Sequence, residues 1–130
     1  MTVSAGVNLG RPEFASTTFC NAINRGDLEA ACACSTRDAY LITPDITAVR
    51  GRGAIREVLA QMINAGLQVS IEESGLLAAG SVAVAHDAWR IRSRAADGSS
   101  LRRDSRPTLV LQQIESQWKF AFAAPWGWGG

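Results

Sequence analysis

The hydrophobic period of this chain changes at Gly66, and that change constrains the fold more than any other feature. Before Gly66, apolar residues such as Ala15 and Phe19 recur at helical spacing. After it, apolar residues alternate with polar ones, and turn signals such as the Asp97-Gly98 dipeptide separate the runs. Helices first and hairpin-linked strands afterwards predict an α+β fold, with the helices packed on one face of an antiparallel sheet.

Glycine, proline and capping residues divide the helical part of the chain. The first helix is expected to begin at Pro12 and to end at Gly26, because proline suits a first turn and glycine suits a helix end. Asp27 is expected to cap a second, short helix. A short strand at residues 40–42, opened by Asp38-Ala39, precedes a third helix over about residues 53–64.

The second part of the chain predicts four strands with strong turns between them. They cover residues 67–71, 82–94, 101–113 and 118–123.

Composition excludes several classes of protein. With 130 residues, of which 47% are hydrophobic, the chain can bury one core. A net charge of +1 does not favour nucleic acid or a membrane surface as a partner. No apolar run has the length of a signal peptide or a membrane span, and an odd count of three cysteines argues for free thiols. We therefore expect a cytoplasmic protein without a disulfide framework.

Four short stretches resemble a known family. They are Asn-Arg-Gly-Asp-Leu-Glu-Ala (residues 24–30), Arg-Asp-Ala-Tyr-Leu-Ile-Thr-Pro (37–44), Gly-Arg-Gly-Ala-Ile-Arg-Glu (51–57) and Trp-Lys-Phe (118–120). In this order they are similar to the SnoaL-like members of the nuclear transport factor 2-like superfamily, which includes the ketosteroid isomerases and polyketide cyclases.

The resemblance implies a cystatin-like cone, in which a strongly curved antiparallel sheet wraps around the helices. The open end of such a cone holds the ligand pocket. On this basis we expect a flexible N-terminal arm (residues 1–11), a SnoaL-like domain (12–126) and a short C-terminal tail (127–130).

The ketosteroid isomerases use a tyrosine in helix one, an aspartate base before a proline, and a protonated aspartic acid on a later strand. The resemblance places the first two positions on Phe19 and Thr43, and the third near Pro107 or Thr108. Phe19 has no hydroxyl to donate, and a threonine hydroxyl stays protonated near neutral pH. The isomerase mechanism is therefore not expected to carry over.

Two other residues are candidates for catalysis. Asp45 lies two residues beyond Thr43, although an aspartate in this position commonly bonds its own turn. His86 is the lone histidine, and its imidazole titrates near physiological pH. The alternative for His86 is a sheet residue that faces solvent or a partner subunit. His86 and Asp87 are neighbours in one strand, so they point to opposite faces.

The interior of the cone is expected to bind a hydrophobic small molecule. The predicted pocket residues come from the first and third helices, the strands, the isomerase positions and the tail: Phe19, Tyr40, Thr43, Ile55, Leu59, Met62, Trp89, Thr108, Leu111 and Trp126.

The chain is expected to use no cofactor and no metal. Cys32 and Cys34 diverge by about 200° on a helix, and only one histidine is available as a further ligand.

The Pro-Trp-Gly-Trp-Gly-Gly tail, which carries Trp126 and Trp128, either covers the pocket mouth or packs across a dimer interface.

Arginines are concentrated in one predicted hairpin. Three of them (Arg90, Arg92 and Arg94) alternate along one strand, and three more lie at positions 102, 103 and 106. They either form an anion site for a carboxylated or phosphorylated ligand, or lie on a solvated or interfacial sheet face that Asp87 and Asp104 partly balance.

Consecutive apolar residues, such as those at positions 82–85, predict that both faces of the sheet are buried. A homodimer formed through the sheet is expected, because a second copy would cover the outer face.

Two function classes remain open: a small-molecule enzyme of the isomerase or cyclase kind, and a non-catalytic ligand-binding or dimerisation module.

Overall fold

The computed structural model describes residues 9–127 and contains three α-helices. After a 3-10 turn at Pro12–Phe14, these are α1 (Ala15–Asn24), α2 (Leu28–Ala33) and α3 (Arg52–Asn64). The predicted cap of α2 is confirmed, because Oδ1 of Asp27 accepts a hydrogen bond from the backbone N–H of Ala30 at 3.1 Å. Gly26 has a φ of 73°, a left-handed conformation that glycine adopts without strain, so α1 ends where the sequence predicts.

In the described part of the chain, seven strands form one sheet: β1 (Ser35–Ile42), β2 (Ala48–Arg50), β3 (Gln68–Ala79), β4 (Val82–Arg94), β5 (Ser100–Ser105), β6 (Thr108–Ile114) and β7 (Gln117–Ala124). Their order is β2-β1-β7-β6-β4-β3, and β5 pairs with β4 outside this path. The pairing register shifts between β3 and β4 and again between β6 and β7, and such bulges bend the sheet.

The α+β fold is as predicted, but the sheet is mixed. All its strand pairs are antiparallel except β1 and β7, which run parallel. The last strand of the chain inserts between β1 and β6, far from β1 in sequence. Alternation within a strand reports which face is buried, and it carries no information on such a distant neighbour.

The strand expected over residues 101–113 is two strands. β4 pairs through its second half with β5 and through its first half with β6, so it supports both. The break falls at Arg106 and Pro107. Pro107 has no N–H to donate to a ladder, which explains why pairing stops there.

The first strand is longer than expected. β1 begins at Ser35 rather than near Asp38, and the exposed pair Arg37 and Asp38 in its middle hides the alternation. β2 was not predicted from the sequence, because it has only three residues; it pairs with the end of β1.

The helices cover one face of the sheet, which we call the inner face. α1 packs on β3, and α3 packs on β1. Ala83, Ala85 and Ile91 of β4 are buried on this face, whereas Val82 and Val84 are exposed on the opposite, outer face.

The predicted N-terminal arm is anchored at its end. Leu9 is buried, and its carbonyl accepts a hydrogen bond from the backbone N–H of Trp118 at 2.7 Å. The rest of the arm before Leu9 and the tail from Trp128 onwards lie outside the described residues. In residues 9–127, no helix combines the length and the apolar character needed to cross a bilayer.

Candidate functional site

Six of the predicted pocket residues lie in one buried cluster: Phe19, Ile55, Leu59, Met62, Trp89 and Leu111. Their side chains pack against one another. The ring of Phe19 stacks on Trp89 at 6.3 Å between centroids and meets Phe120 edge-on at 5.8 Å. The cluster forms the core between helices and sheet, and contact of these residues with a ligand stays a prediction.

Two predicted pocket residues lie on the wrong face of the sheet. Tyr40 is 42% exposed, and the guanidinium of Arg50 lies 5.2 Å from its ring centroid. Its neighbours Ala39 and Leu41 are buried, so strand alternation turns Tyr40 outward. Thr108 is exposed and pairs with His86 across the outer face. The expectation that these two residues reach the interior is wrong.

The isomerase base position is an exposed turn. Thr43 accepts a hydrogen bond from the backbone N–H of Thr47 at 3.1 Å, and its own hydroxyl donates to Oδ1 of Asp45. The hydroxyls of Thr43 and Thr47 lower the pKa of the Asp45 carboxyl. A lowered pKa makes this carboxylate a weaker base. Asp45 is therefore a turn residue, and its candidacy as a catalytic base is not supported.

The lone histidine points away from the interior. His86 is exposed on the outer face and pairs with Gly75 of β3. Its imidazole lies so close above this glycine that a Cβ at Gly75 would be 2.3 Å from Cε1 of His86. The interpretation of His86 as an interior acid or base is wrong, and its alternative as an outward sheet residue is correct.

Asp87 is a buried site residue that was not predicted from the sequence. It is 3% exposed, and its carboxylate accepts two hydrogen bonds on the inner face. The indole N–H of Trp89 donates to Oδ2 and the hydroxyl of Ser74 donates to Oδ1, each at 2.9 Å. None of the ion pairs within residues 9–127 includes Asp87, so neutral donors alone satisfy it.

Strand alternation is the sequence signal that places Asp87 on the inner face of the sheet. Trp89 was expected to face the interior, and residues two apart on a strand share a face. The expectation that Asp87 balances the arginines of the hairpin is therefore wrong. The arginines and Asp87 lie on opposite faces of β4.

Burial disfavours the thiolate form of Cys20 and Cys34. Burial raises the pKa of the Cys20 thiol far above its usual range, and the charge of Asp87 adds to this effect. Burial also raises the pKa of Cys34 to about 12. All three cysteines are free, and no cluster of three or more metal-ligating side chains occurs within residues 9–127.

An apolar groove of about 230 Å³ lies where α3, the end of β4 and the C-terminal segment meet. We call it the mouth groove; its lining residues are Pro44, Val58, Gln61, Met62, Ala65, Leu67, Ser93 and Trp126. Two of the predicted pocket residues, Met62 and Trp126, are therefore in one open site. Pro44 directly follows Thr43, the residue that the resemblance places at the isomerase base position.

Trp126 is held in place from β5. The guanidinium of Arg103 lies 5.6 Å from the indole centroid and donates to the Trp126 carbonyl at 3.1 Å. The hydroxyl of Ser105 donates to the carbonyl of Pro125. Trp126 therefore lines the mouth groove and packs against the core, while the two alternatives for the tail, a cover for a ligand pocket or a dimer contact, stay predictions. Trp128 lies outside the described residues.

Among residues 9–127, none that lines the mouth groove carries an ionisable side chain; Gln61 and Ser93 are its polar members. Asp87 lies six residues before Ser93 along β4, which corresponds to about 20 Å of strand. The groove and the buried carboxylate are thus separate features of the molecule.

Comparison with known proteins identifies the family. The family model for the SnoaL-like domain matches residues 17–110. No match was found among curated proteins.

Solved structures share the fold at low sequence identity. A ketosteroid isomerase-like protein from Erwinia carotovora atroseptica SCRI1043 is 21% identical, with a TM-score of 0.75 over 89% of this chain and 92% of that one. An uncharacterised protein with a cystatin-like fold from Caulobacter vibrioides is 17% identical, with a TM-score of 0.74 over 85% of this chain and 82% of that one.

A third structure, a nuclear transport factor 2-like protein with a cystatin-like fold from Novosphingobium aromaticivorans, is 14% identical. Its TM-score is 0.72 over 86% of this chain and 76% of that one. At such identities the structures establish the cystatin-like fold alone, and the family model adds the family. The chain belongs to the SnoaL-like family.

Proposed function

We propose that this SnoaL-like protein binds a small hydrophobic molecule in the mouth groove and does not perform isomerase-type proton transfer there. The observation that carries the proposal is the lining of the groove, which is mainly apolar and includes no ionisable side chain from the part of the chain that the structure describes. Ligand sites are typically concave and apolar, with a few polar groups that orient the ligand. Gln61 and Ser93 are suited to that role.

The size of the groove limits its ligand. A volume of about 230 Å³ lies below the usual range of about 300–1,000 Å³ for ligand sites, so a single ring system is the expected scale. The indole of Trp126 offers an aromatic surface on which a flat ring can stack. The ligand class is therefore a small planar hydrophobic molecule.

A binding role fits the interior better than a catalytic one. Acid–base catalysis needs positioned groups that exchange protons with the bound substrate. Phe19 and Thr43 lack such groups, and Asp87 is enclosed by Trp89 and the core. The packed interior also favours the second function class, a non-catalytic module.

We further propose that the protein is a homodimer formed through the outer face. This face exposes Leu77, Val82 and Val84, which are 68%, 45% and 40% accessible. Val110 of β6 lies beside Val84 in the same sheet. Exposed apolar patches on a sheet favour association, and a two-fold contact between identical faces is the commonest arrangement.

Titration calorimetry with 1-naphthol tests the binding proposal. The wild-type protein is expected to bind, and the Val58→Lys variant is expected to weaken binding at least about tenfold, since a lysine in the groove would have to be desolvated. Ile114→Lys is the matched control at an exposed site outside the groove, and it should bind as the wild type does. Equal affinity in all three proteins would place the ligand elsewhere.

A further inference from the structure

A polar groove of about 440 Å³ adjoins the mouth groove. Its lining residues are Thr43, Pro44, Asp45, Thr47 and Gln61. We call it the loop groove, because four of these residues belong to the loop between β1 and β2. Pro44 and Gln61 line the mouth groove as well, so the two grooves meet at these two residues.

Both grooves are built on one face of α3. Val58, Met62 and Ala65 line the mouth groove from this helix, and Gln61 lines both grooves. Gln61 lies three residues after Val58 and four before Ala65, so these side chains share a helix face. α3 packs on β1, and the loop of the loop groove begins where β1 ends, at Ile42. A ligand can therefore pass from one groove to the other beside Gln61 without crossing the sheet.

The two grooves differ in charge. The mouth groove is mainly apolar, whereas the loop groove presents the hydroxyls of Thr43 and Thr47 and the carboxylate of Asp45. None of the ion pairs within residues 9–127 includes Asp45. The lining of the loop groove contains no cationic side chain from this part of the chain. The combined site thus has an apolar end and a negatively charged end.

The turn holds the Asp45 carboxylate in position and in its charged form. The backbone N–H of Thr43 donates to the carbonyl of Thr47, and the N–H of Ile46 donates to the carbonyl of Thr43, each at 2.9 Å. The Thr43 hydroxyl donates to Oδ1 of Asp45. Because the hydroxyls of Thr43 and Thr47 lower the pKa of Asp45, the carboxylate stays ionised at neutral pH.

We propose that Asp45 binds a positively charged nitrogen of the ligand whose apolar ring lies in the mouth groove. This inference rests on the proposed function, because it assigns a head group to the ligand proposed there. The ligand class becomes a small planar aromatic molecule with one amine substituent.

The chemistry of the loop groove suits an ammonium group. A carboxylate accepts charge-assisted hydrogen bonds from an ammonium, and its two oxygens together offer about four acceptor positions. The Thr43 hydroxyl occupies one position on Oδ1 of Asp45, which leaves acceptor capacity for a ligand. The side-chain amide of Gln61, where the grooves meet, provides a further oxygen acceptor.

Calorimetry with three probes tests the inference. 1-Naphthylmethylamine, 1-naphthylmethanol and 1-naphthoate share one ring system, and at pH 7 they are a cation, a neutral molecule and an anion. We expect the amine to bind about two- to fivefold more tightly than the alcohol, the scale of an exposed ion pair, and the anion to bind more weakly than the alcohol. In 1 M NaCl the Debye length falls to about 3 Å, so the preference for the amine should largely disappear.

D45N removes the charge and keeps a side-chain oxygen that can accept from the Thr43 hydroxyl. This variant should bind 1-naphthylmethanol as the wild type does and lose the preference for the amine. E115Q is the matched control, because it removes one negative charge from an exposed turn at the opposite end of β7 from Trp126. It should keep the preference.

Several results would overturn the inference and leave the proposed function standing. They are equal affinity of the wild type for the amine and the alcohol, a preference that survives in D45N, and a preference that E115Q loses as well. A preference that 1 M NaCl does not reduce would also refute the ion pair, and this measurement needs no variant. If none of the three probes binds, the proposed function fails, and the assignment of Asp45 fails with it.

Discussion

Asp87 connects the exposed edge of the sheet with the aromatic core. It bonds the accessible hydroxyl of Ser74 on one side and the buried indole of Trp89 on the other, and Trp89 in turn stacks on Phe19. A buried carboxylate that receives only neutral donors fixes the orientation of these groups. The residue therefore has a structural role, which its position outside the mouth groove also indicates.

Replacing Asp87 by alanine is expected to destabilise the fold. The change leaves the indole N–H of Trp89 buried without an acceptor, which costs about 1–3 kcal/mol of unfolding free energy. Ser74→Ala is the control, because water can replace the exposed hydroxyl and the loss should stay below about 1 kcal/mol. Urea denaturation measures both values, and equal stability of the two variants would show that Asp87 does not anchor the tryptophan.

The residues at the isomerase positions predict that the protein does not isomerise a 5-ene-3-ketosteroid. Loss of a positioned general base alone costs about 10²–10⁴-fold in rate, and Phe19 also provides no hydroxyl for the developing oxyanion. An absorbance assay for the conjugated ketone should show no turnover above background. Turnover that disappears on substitution of Asp45 or His86 would prove that a relocated base exists.

Among the elements, those governed by local chemistry were predictable. Gly26, Asp27 and Gly66 mark helix ends through backbone conformation and capping, and β4 matches its predicted bounds. Periodicity also gave the inner face of α1 and α3, because burial of one stripe is a property of the helix itself.

Elements that depend on distant partners were not predictable. The parallel pairing of β1 with β7 brings Tyr40 beside Phe122, a relation that no local pattern reports. β2 is too short to show a period, and Arg37 and Asp38 mask the beginning of β1. For the same reason the sequence did not predict the mouth groove as one site. Its lining residues on α3 and at Trp126 were predicted only as separate pocket residues.

The cap of α2 gives a test of electrostatics at this scale. The backbone N–H of Ala30 and then Arg25 lower the pKa of Asp27 below its ordinary value of 3.8. A lowered folded-state pKa gives stability that is present above the unfolded-state pKa and is lost as the pH falls through the folded-state value.

Asp27→Asn keeps an oxygen acceptor for Ala30 and removes the charge. We expect the stability difference between wild type and Asp27→Asn to be constant near neutral pH and to shrink as the pH falls below about 4. Urea denaturation at a series of pH values measures it. A difference that does not change with pH would mean that the charge contributes nothing to the cap.

For the whole molecule, the two faces of the sheet differ in exposure. The inner face is closed by α1 and α3, whereas the outer face exposes apolar residues along β3 and β4. His86 covers Gly75 in the middle of this outer face. The distribution supports association through the outer face and ligand binding at the opposite end of β4.

The proposed dimer predicts a mass of about twice 13.8 kDa in light scattering coupled to size exclusion. Val110→Glu should give a folded monomer. Val110 is half-buried on the outer face of β6, so a glutamate there can be hydrated in the monomer but would lose its water in the dimer contact. Ile46→Glu, at a loop residue that is 52% exposed, should leave the dimer intact. A wild-type mass near 13.8 kDa at low micromolar concentration would refute the dimer.

The central claim is that the ligand lies in the mouth groove and not beside the buried carboxylate. Two indole N–H signals distinguish these sites in a ¹H–¹⁵N NMR titration with 1-naphthol, because Trp126 lines the groove and the Trp89 N–H is bonded to Asp87. We expect the Trp126 signal to move with the backbone amides of residues 58–67, while the Trp89 signal stays in place. A shift of the Trp89 signal with an unchanged Trp126 signal would contradict it.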